Sequence, residues 1–125
     1  MALPPRLERE LEELRTSRRP EILEDAEVVN LLFRDFPTGE GFNLPACDLL
    51  IRIPRSYPDA GPDMFWTTPE LTLKDGRIPQ SAESIEVYVG KQWRRFSWHR
   101  RSWHSSSDNI HGYLEFVRRR FRQKQ

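Results

Sequence analysis

The stretch "WRRFSWHRRSWH", residues 93–104, concentrates the side chains of this chain that can do chemistry. It holds three of the four tryptophans, two of the three histidines and two serines. If residues 93–100 are extended, Trp93, Arg95, Ser97 and His99 share one face, and Arg94, Phe96, Trp98 and Arg100 the other. Ser97 and His99 are then same-face neighbours. A serine hydroxyl is a weak nucleophile until a base takes its proton, and histidine is the usual base near neutral pH. The plainer alternative is a solvent-facing serine beside a histidine bonded to backbone. Single Ser–His pairs are common, so residue types alone favour that alternative. A third reading is nucleic-acid binding, because arginines interleaved with aromatics can stack bases and hold phosphates. The formal net charge of +1 and the habit of tryptophans to anchor cores speak against it, and nucleic acid is not expected as a partner.

Cys47 is the other nucleophile to test. In "ACDLLIRIP", 46–54, Cys47 alternates with Leu49, Ile51 and Ile53 on one strand face, with Asp48, Leu50 and Arg52 on the other. A cysteine in such a row behaves as a small buried hydrophobe with a raised pKa, so a core role is expected. A lone cysteine has no internal disulfide partner, and without CxxC spacing no structural zinc site is expected. His99, His104 and His111 lack clustered carboxylates, and no P-loop, GxGxxG or HExxH occurs. No metal and no cofactor are therefore expected. "SSSDN", 105–109, reads as helix capping rather than as a nucleophile with its acid.

The elements that must position these residues follow from periodicity. Residues 4–17 read as a helix, with Leu7, Leu11 and Leu14 in one stripe and prolines at its start. It should stop before the proline of "RRP". Residues 26–36 and 46–54 read as two strands joined by the turn-rich "PTGEGFNLP". "RSYPDAGPD", 55–63, is a stiff corner of YPxxxP spacing, and 64–73 begins as a short third strand. Residues 74–84 are irregular. "IEVYV", 85–89, and the stretch from 92 form a further strand pair or a strand and extended loop. The last element is a helix with Ile110, Leu114, Val117 and Phe121 in register, capped by Asp108 or a preceding serine. Its basic end, Arg118, Arg119, Arg120, Arg122 and Lys124, suits the helix dipole, whereas the stretch from Leu7 to Leu14 is acid-rich, so charge is uneven along the chain.

The order helix, three-strand meander, irregular middle, helix makes an α+β class. A length of 125 residues predicts a single domain over 1–125. No apolar run approaches 20 residues and no signal segment opens the chain. With one cysteine, the expectation is a cytoplasmic protein with no membrane partner.

The blocks "DLLIRIPRSYPDAGPDMFWTTPEL" (48–71), "QWRRFSWH" (92–99) and "W…DNIHGYLEFVRRR" (103–120) together resemble the ubiquitin-conjugating (UBC) superfamily, and within it the prokaryotic E2 family E. The resemblance spans nearly the whole chain, and "IPxxYPDAxPDMFW" is its most specific part. It implies a UBC-like fold with an N-terminal helix, an antiparallel β-meander and a C-terminal helix. It implies a carrier that accepts a bacterial ubiquitin-like protein from an activating enzyme and hands it to a target. Antiviral defence systems that also contain a JAB-type peptidase are the implied setting. Two features depart from eukaryotic carriers. Their cysteine before the tryptophan-containing segment has no counterpart here; counting back from Trp103 lands on Arg95 to Ser97. Their His-Pro-Asn motif is replaced by "TTPELTL", so no oxyanion-steadying group is assigned. Two readings stay open: Ser97 carries the modifier as an oxygen ester with His99 as base, or the domain is a non-catalytic UBC- or RWD-like binding module.

Overall fold

The structure is a computed structural model that describes residues 3–100 and 102–123. The expected contribution of Lys124 to the basic end lies outside the described residues. Helix α1 spans Pro5–Leu14. Leu7, Leu11 and Leu14 are buried as their spacing demands, but Glu10 lies in the same stripe at 2% exposure. The helix is shorter than the expected 4–17. Ser17 N and Arg18 N both turn back onto Leu14 O, and the chain leaves the helix before the proline at 20.

Six strands follow: β1 (Glu21–Glu24), β2 (Val28–Pro37), β3 (Ala46–Pro54), β4 (Phe65–Thr67), β5 (Ile85–Tyr88) and β6 (Lys91–Phe96). They form one antiparallel sheet in the order β1-β2-β3-β4-β6-β5. Two details differ from the sequence expectation. β1 has no counterpart among the expected strands: "EILE" is almost wholly exposed and carries no period-2 signal, and its ladder with β2 holds it. The short strand expected to begin at 64 is β4, and it is only three residues long, because the chain leaves the sheet after Thr67 and returns through β5. The hairpin β5–β6 then docks its second strand beside β4, pairing Phe65 with Phe96, Trp66 with Arg95 and Thr67 with Arg94. Helix α2, Ile110–Arg122, closes the chain. Its cap is Asn109, whose side chain accepts from Gly112 N, rather than Asp108 or a serine. Asp108 faces back into the preceding loop, where Arg100 and His104 N engage it.

The two helices cover one sheet face. The core there joins Leu7, Leu11 and Leu14 to Leu49, Ile51, Phe65, Phe96 and Trp98, and to Tyr113, Leu114, Val117 and Phe121. The other face buries a smaller cluster of Leu32, Leu50, Trp66 and Trp93. Polar side chains roof it: the Arg52 guanidinium lies 3.7 Å from the Tyr88 ring centroid, and Lys91 Nζ lies 5.2 Å from that of Trp93. Trp66, Trp93 and Trp98 are thus all buried. They anchor cores on both sides of the sheet and offer no stacking surface for bases.

Cys47 sits in the main core at 6% exposure. Burial, with Asp48 next to it, pushes its thiol up to about 12 from the ordinary 9.0. A buried neutral thiol has a linked consequence. The folded state holds its proton more tightly than the unfolded chain. Cys47 therefore contributes its full stability below about pH 9, and that share fades as pH rises from there through about 12. The native protein at pH 8 should resist alkylation by iodoacetamide and react promptly once unfolded in urea. Prompt labelling of the native protein would put the thiol at the surface.

Candidate functional site

β6 ends at Phe96, yet the pairing of the backbone goes one residue pair further. Arg95 N donates to Ser84 O at 2.9 Å and Ser97 N to Ser81 O at 2.9 Å. The segment before β5 thus acts as a splint along the end of β6. Alternation holds through it: Phe96 and Trp98 enter the main core, while Trp93 enters the opposite cluster. Trp98 is fixed by its indole N–H donating to Gln80 O at 2.8 Å. Arg94, on the core side and 8% exposed, donates to Pro69 O and Ala82 O. Burial lowers the pKa of its guanidinium, which nonetheless stays charged. Ser97 is left half-buried on the side opposite the helices.

Ser97 Oγ accepts a hydrogen bond from Arg95 Nε at 3.0 Å. Arg95 is itself held at its other nitrogens, by Glu86 Oε2 at 2.9 Å and by Ser84 Oγ at 3.4 Å. Glu86 also accepts from the Trp66 indole at 2.8 Å and the Tyr88 hydroxyl at 3.1 Å. Partial burial pushes the Glu86 carboxyl up, but these two donors and Arg95 outweigh it and hold the pKa below its ordinary value. Glu86 is therefore an anion throughout the neutral range and pins the guanidinium.

His99 comes from the same stretch but meets a different element. Its Nδ1 lies 2.7 Å from Asp63 Oδ1, both side chains being well exposed. With Nδ1–H donated to the carboxylate, Nε2 is the basic nitrogen. The hydrogen bonds of Ser97 and His99 run to Arg95 and Asp63 respectively, rather than to each other. A serine–histidine contact does occur further on, Ser102 Oγ to His104 Nε2 at 3.2 Å, on exposed side chains.

Asp63 is delivered by the corner after β3. The Tyr57–Pro58 peptide is cis. The Tyr57 ring packs against Trp103 at 5.7 Å, and the Trp103 indole donates to Pro58 O at 2.7 Å. Gly61 lies flat beneath that indole: a Cβ there would stand 2.2 Å from a Trp103 ring carbon, which explains the glycine within the proline-rich run. Beyond Asp63, Met64 O accepts from the Tyr113 hydroxyl at 2.6 Å. Burial of Tyr113, with Asp63 close by, raises its pKa and keeps it a donor.

One buried carboxylate ties the corner, the loop 97–109 and α2 together. Glu10 accepts from the Tyr57 hydroxyl at 2.6 Å, from Ile110 N at 2.9 Å and from Arg6 Nε at 2.9 Å. Burial and the Glu10 charge raise the Tyr57 hydroxyl, so it stays protonated. Arg6 in turn donates to Ser105 O and Asp108 O. Asp63 and His99 therefore come from two segments that α1 holds in common.

A family model described as prokaryotic E2 family E matches residues 3–124 of this chain. The chain belongs to prokaryotic E2 family E. Membership gives it an E2-like conjugation role, in the class of conjugating transferases, with a ubiquitin-like protein and an activating enzyme as the kind of partner. Comparison with curated proteins and with solved structures returned no match. Among the described residues no helix is long and apolar enough to cross a membrane.

Sequence reasoning singled out Ser97 and His99 as candidates and expected Cys47 in the core, where it lies. It placed Arg95 on the face of Ser97 by alternation without giving it a role. It did not reach Asp63, Glu86 or Glu10. Glu10 had one legible signal: a carboxylate inside the Leu7, Leu11, Leu14 stripe, four residues after Arg6.

Proposed function

We propose that this family member is a single UBC-like domain over 1–125 and an E2-like carrier that holds a ubiquitin-like protein as an oxygen ester on Ser97. The observation that carries this reading is the contrast between the two nucleophiles. Cys47 is buried with its thiol pushed up to about 12, whereas Ser97 Oγ is half-buried with a guanidinium nitrogen at 3.0 Å. The activating enzyme offers the C-terminal carboxyl of the modifier as a thioester. Ser97 Oγ attacks its carbonyl carbon, the new O–C bond forms and the C–S bond breaks. The hydroxyl proton passes to His99 Nε2, oriented through Nδ1 by Asp63, and on to the leaving thiolate. Attack by a target nucleophile on the ester carbon then frees Ser97.

The competing reading is a non-catalytic UBC- or RWD-like module. It is favoured by one observation: the Ser97 hydroxyl and the His99 imidazole bond to Arg95 and Asp63 rather than to each other. Incubation with cognate activating enzyme, modifier and ATP separates the two. The carrier reading expects an adduct that survives reductant, yields to hydroxylamine and is absent in Ser97→Ala. A stable complex with no adduct supports the binding module. An adduct lost to reductant or in Cys47→Ala sinks the serine assignment.

A further inference from the structure

Resting on the Ser97 reading above, we infer that Arg95 is a catalytic residue: its Nε–H polarises the Ser97 oxygen and steadies the negative charge that develops during acyl transfer. Eukaryotic carriers assign the second task to an asparagine absent from "TTPELTL" here. The geometry supplies a replacement. Arg95 Nε stands 3.0 Å from Ser97 Oγ and is the donor in that contact. The hydroxyl oxygen is thus an acceptor, and its own proton is free to leave toward a base.

Three features make Arg95 more than a passing surface contact. Its far nitrogens are occupied by Glu86 Oε2 at 2.9 Å and Ser84 Oγ at 3.4 Å. Glu86 is locked in turn by the Trp66 indole and the Tyr88 hydroxyl, and Trp66 is 4% exposed. The backbone on both sides of the contact is splinted, since Arg95 N and Ser97 N both bond the 81–84 segment. A donor held in place before reaction costs no reorganisation when charge appears, which is why fixed donors outperform water. The guanidinium is also permanently charged, so its help does not depend on a proton reaching it first.

The chemistry balances without any further reagent. In the transition state the Oγ–H bond is broken toward the base, the Oγ–C bond is forming, and the former carbonyl oxygen carries the charge. Arg95 Nε–H first stabilises Oγ as it loses its proton. The same donor, next to the new C–O bond, then serves the carbonyl oxygen attached to that carbon.

A small activated ester tests this without any partner protein. p-Nitrophenyl acetate at pH 8 transfers acetyl to a reactive serine and releases p-nitrophenolate, and peptide mass spectrometry locates the acetyl group. The wild type is expected to acetylate at Ser97. Arg95→Gln should slow that step on the order of 100-fold, the loss typical of one oxyanion donor, with far-UV circular dichroism and urea midpoint little changed. Arg95→Lys keeps the charge but loses the Nε fork, and should recover only part of the rate. Glu86→Gln, which frees the guanidinium without removing it, should fall between wild type and Arg95→Gln. Equal Ser97 acetylation in wild type and Arg95→Gln overturns the role of Arg95 and leaves Ser97 standing. Wild type that acetylates only at lysines overturns the Ser97 reading, and this inference with it.

Discussion

Glu10→Ala is expected to lower folding stability by about 3–5 kcal/mol, the range for breaking a buried ion pair by removing one partner. Glu10 is 2% exposed and Arg6 is 20% exposed, so little water is at hand to replace the lost carboxylate. Three donors lose their acceptor at once: the Tyr57 hydroxyl, Ile110 N and Arg6 Nε. Each sits on a different segment, and an unsatisfied buried polar group costs about 1–3 kcal/mol. The effect should also be spatially ordered. Loosening α1 releases the corner that carries Asp63 and the loop that carries His99, so amide exchange should rise at residues 57–64 and 102–110 before it rises in β2 and β3. Glu10→Gln retains the shape and one acceptor oxygen, and should cost about half as much. Urea unfolding followed by tryptophan fluorescence measures both. A midpoint for Glu10→Ala within error of wild type would mean the buried carboxylate is not what joins these segments.

Phe121→Ala is expected to cost about 3–5 kcal/mol as well, by a different route. The Phe121 ring lies 5.3 Å from Phe42, 5.5 Å from Phe65, 6.0 Å from Phe96 and 6.2 Å from Phe36, centroid to centroid. These rings come from β2, the 38–45 turn, β4 and β6. Truncation leaves a cavity that four aromatic side chains on sheet and loop backbone fill poorly. The last turn of α2 depends on this ring, because Arg119 and Arg122 beside it are exposed and Arg120 is only half-buried. Arg119→Ala, on the exposed side of the same turn, should change stability by no more than about 0.5 kcal/mol. Thermal unfolding of the two variants side by side reads the contrast. A Phe121→Ala protein that melts with wild type would show that α2 is held by its first turns alone.

The helices are plain in the sequence because each has one apolar face, and the main strands because their apolar runs fill the core on one sheet face and a smaller cluster on the other. Leu7, Leu11 and Leu14, or Ile110, Leu114, Val117 and Phe121, repeat at the period of a helix against one surface. Cys47, Leu49, Ile51 and Ile53 repeat at the period of a strand against the same surface, and that repeat alone marked the thiol as interior. β1 carried no such mark, since an exposed edge strand is held by its ladder and its side chains need no pattern. Asn109 rather than Asp108 caps α2, a choice the sequence leaves open because several residues in "SSSDN" have capping chemistry. Which one caps depends on where Arg100 and His104 N draw the aspartate.

The sequence by itself determined the family, the α+β class, the buried cysteine and the face shared by Arg95 and Ser97, since these rest on local period and local motif. Only the tertiary structure decided what surrounds the candidate nucleophile. Asp63 reaches His99 across 36 positions, Glu10 reaches Ile110 across 100 and Glu86 reaches Arg95 across a strand pair. Such contacts leave no periodic trace in the chain. They exist because the sheet order sets β6 beside β4 and because α1 packs under both loops, and a charge is indifferent to the sequence distance of the partner that neutralises it.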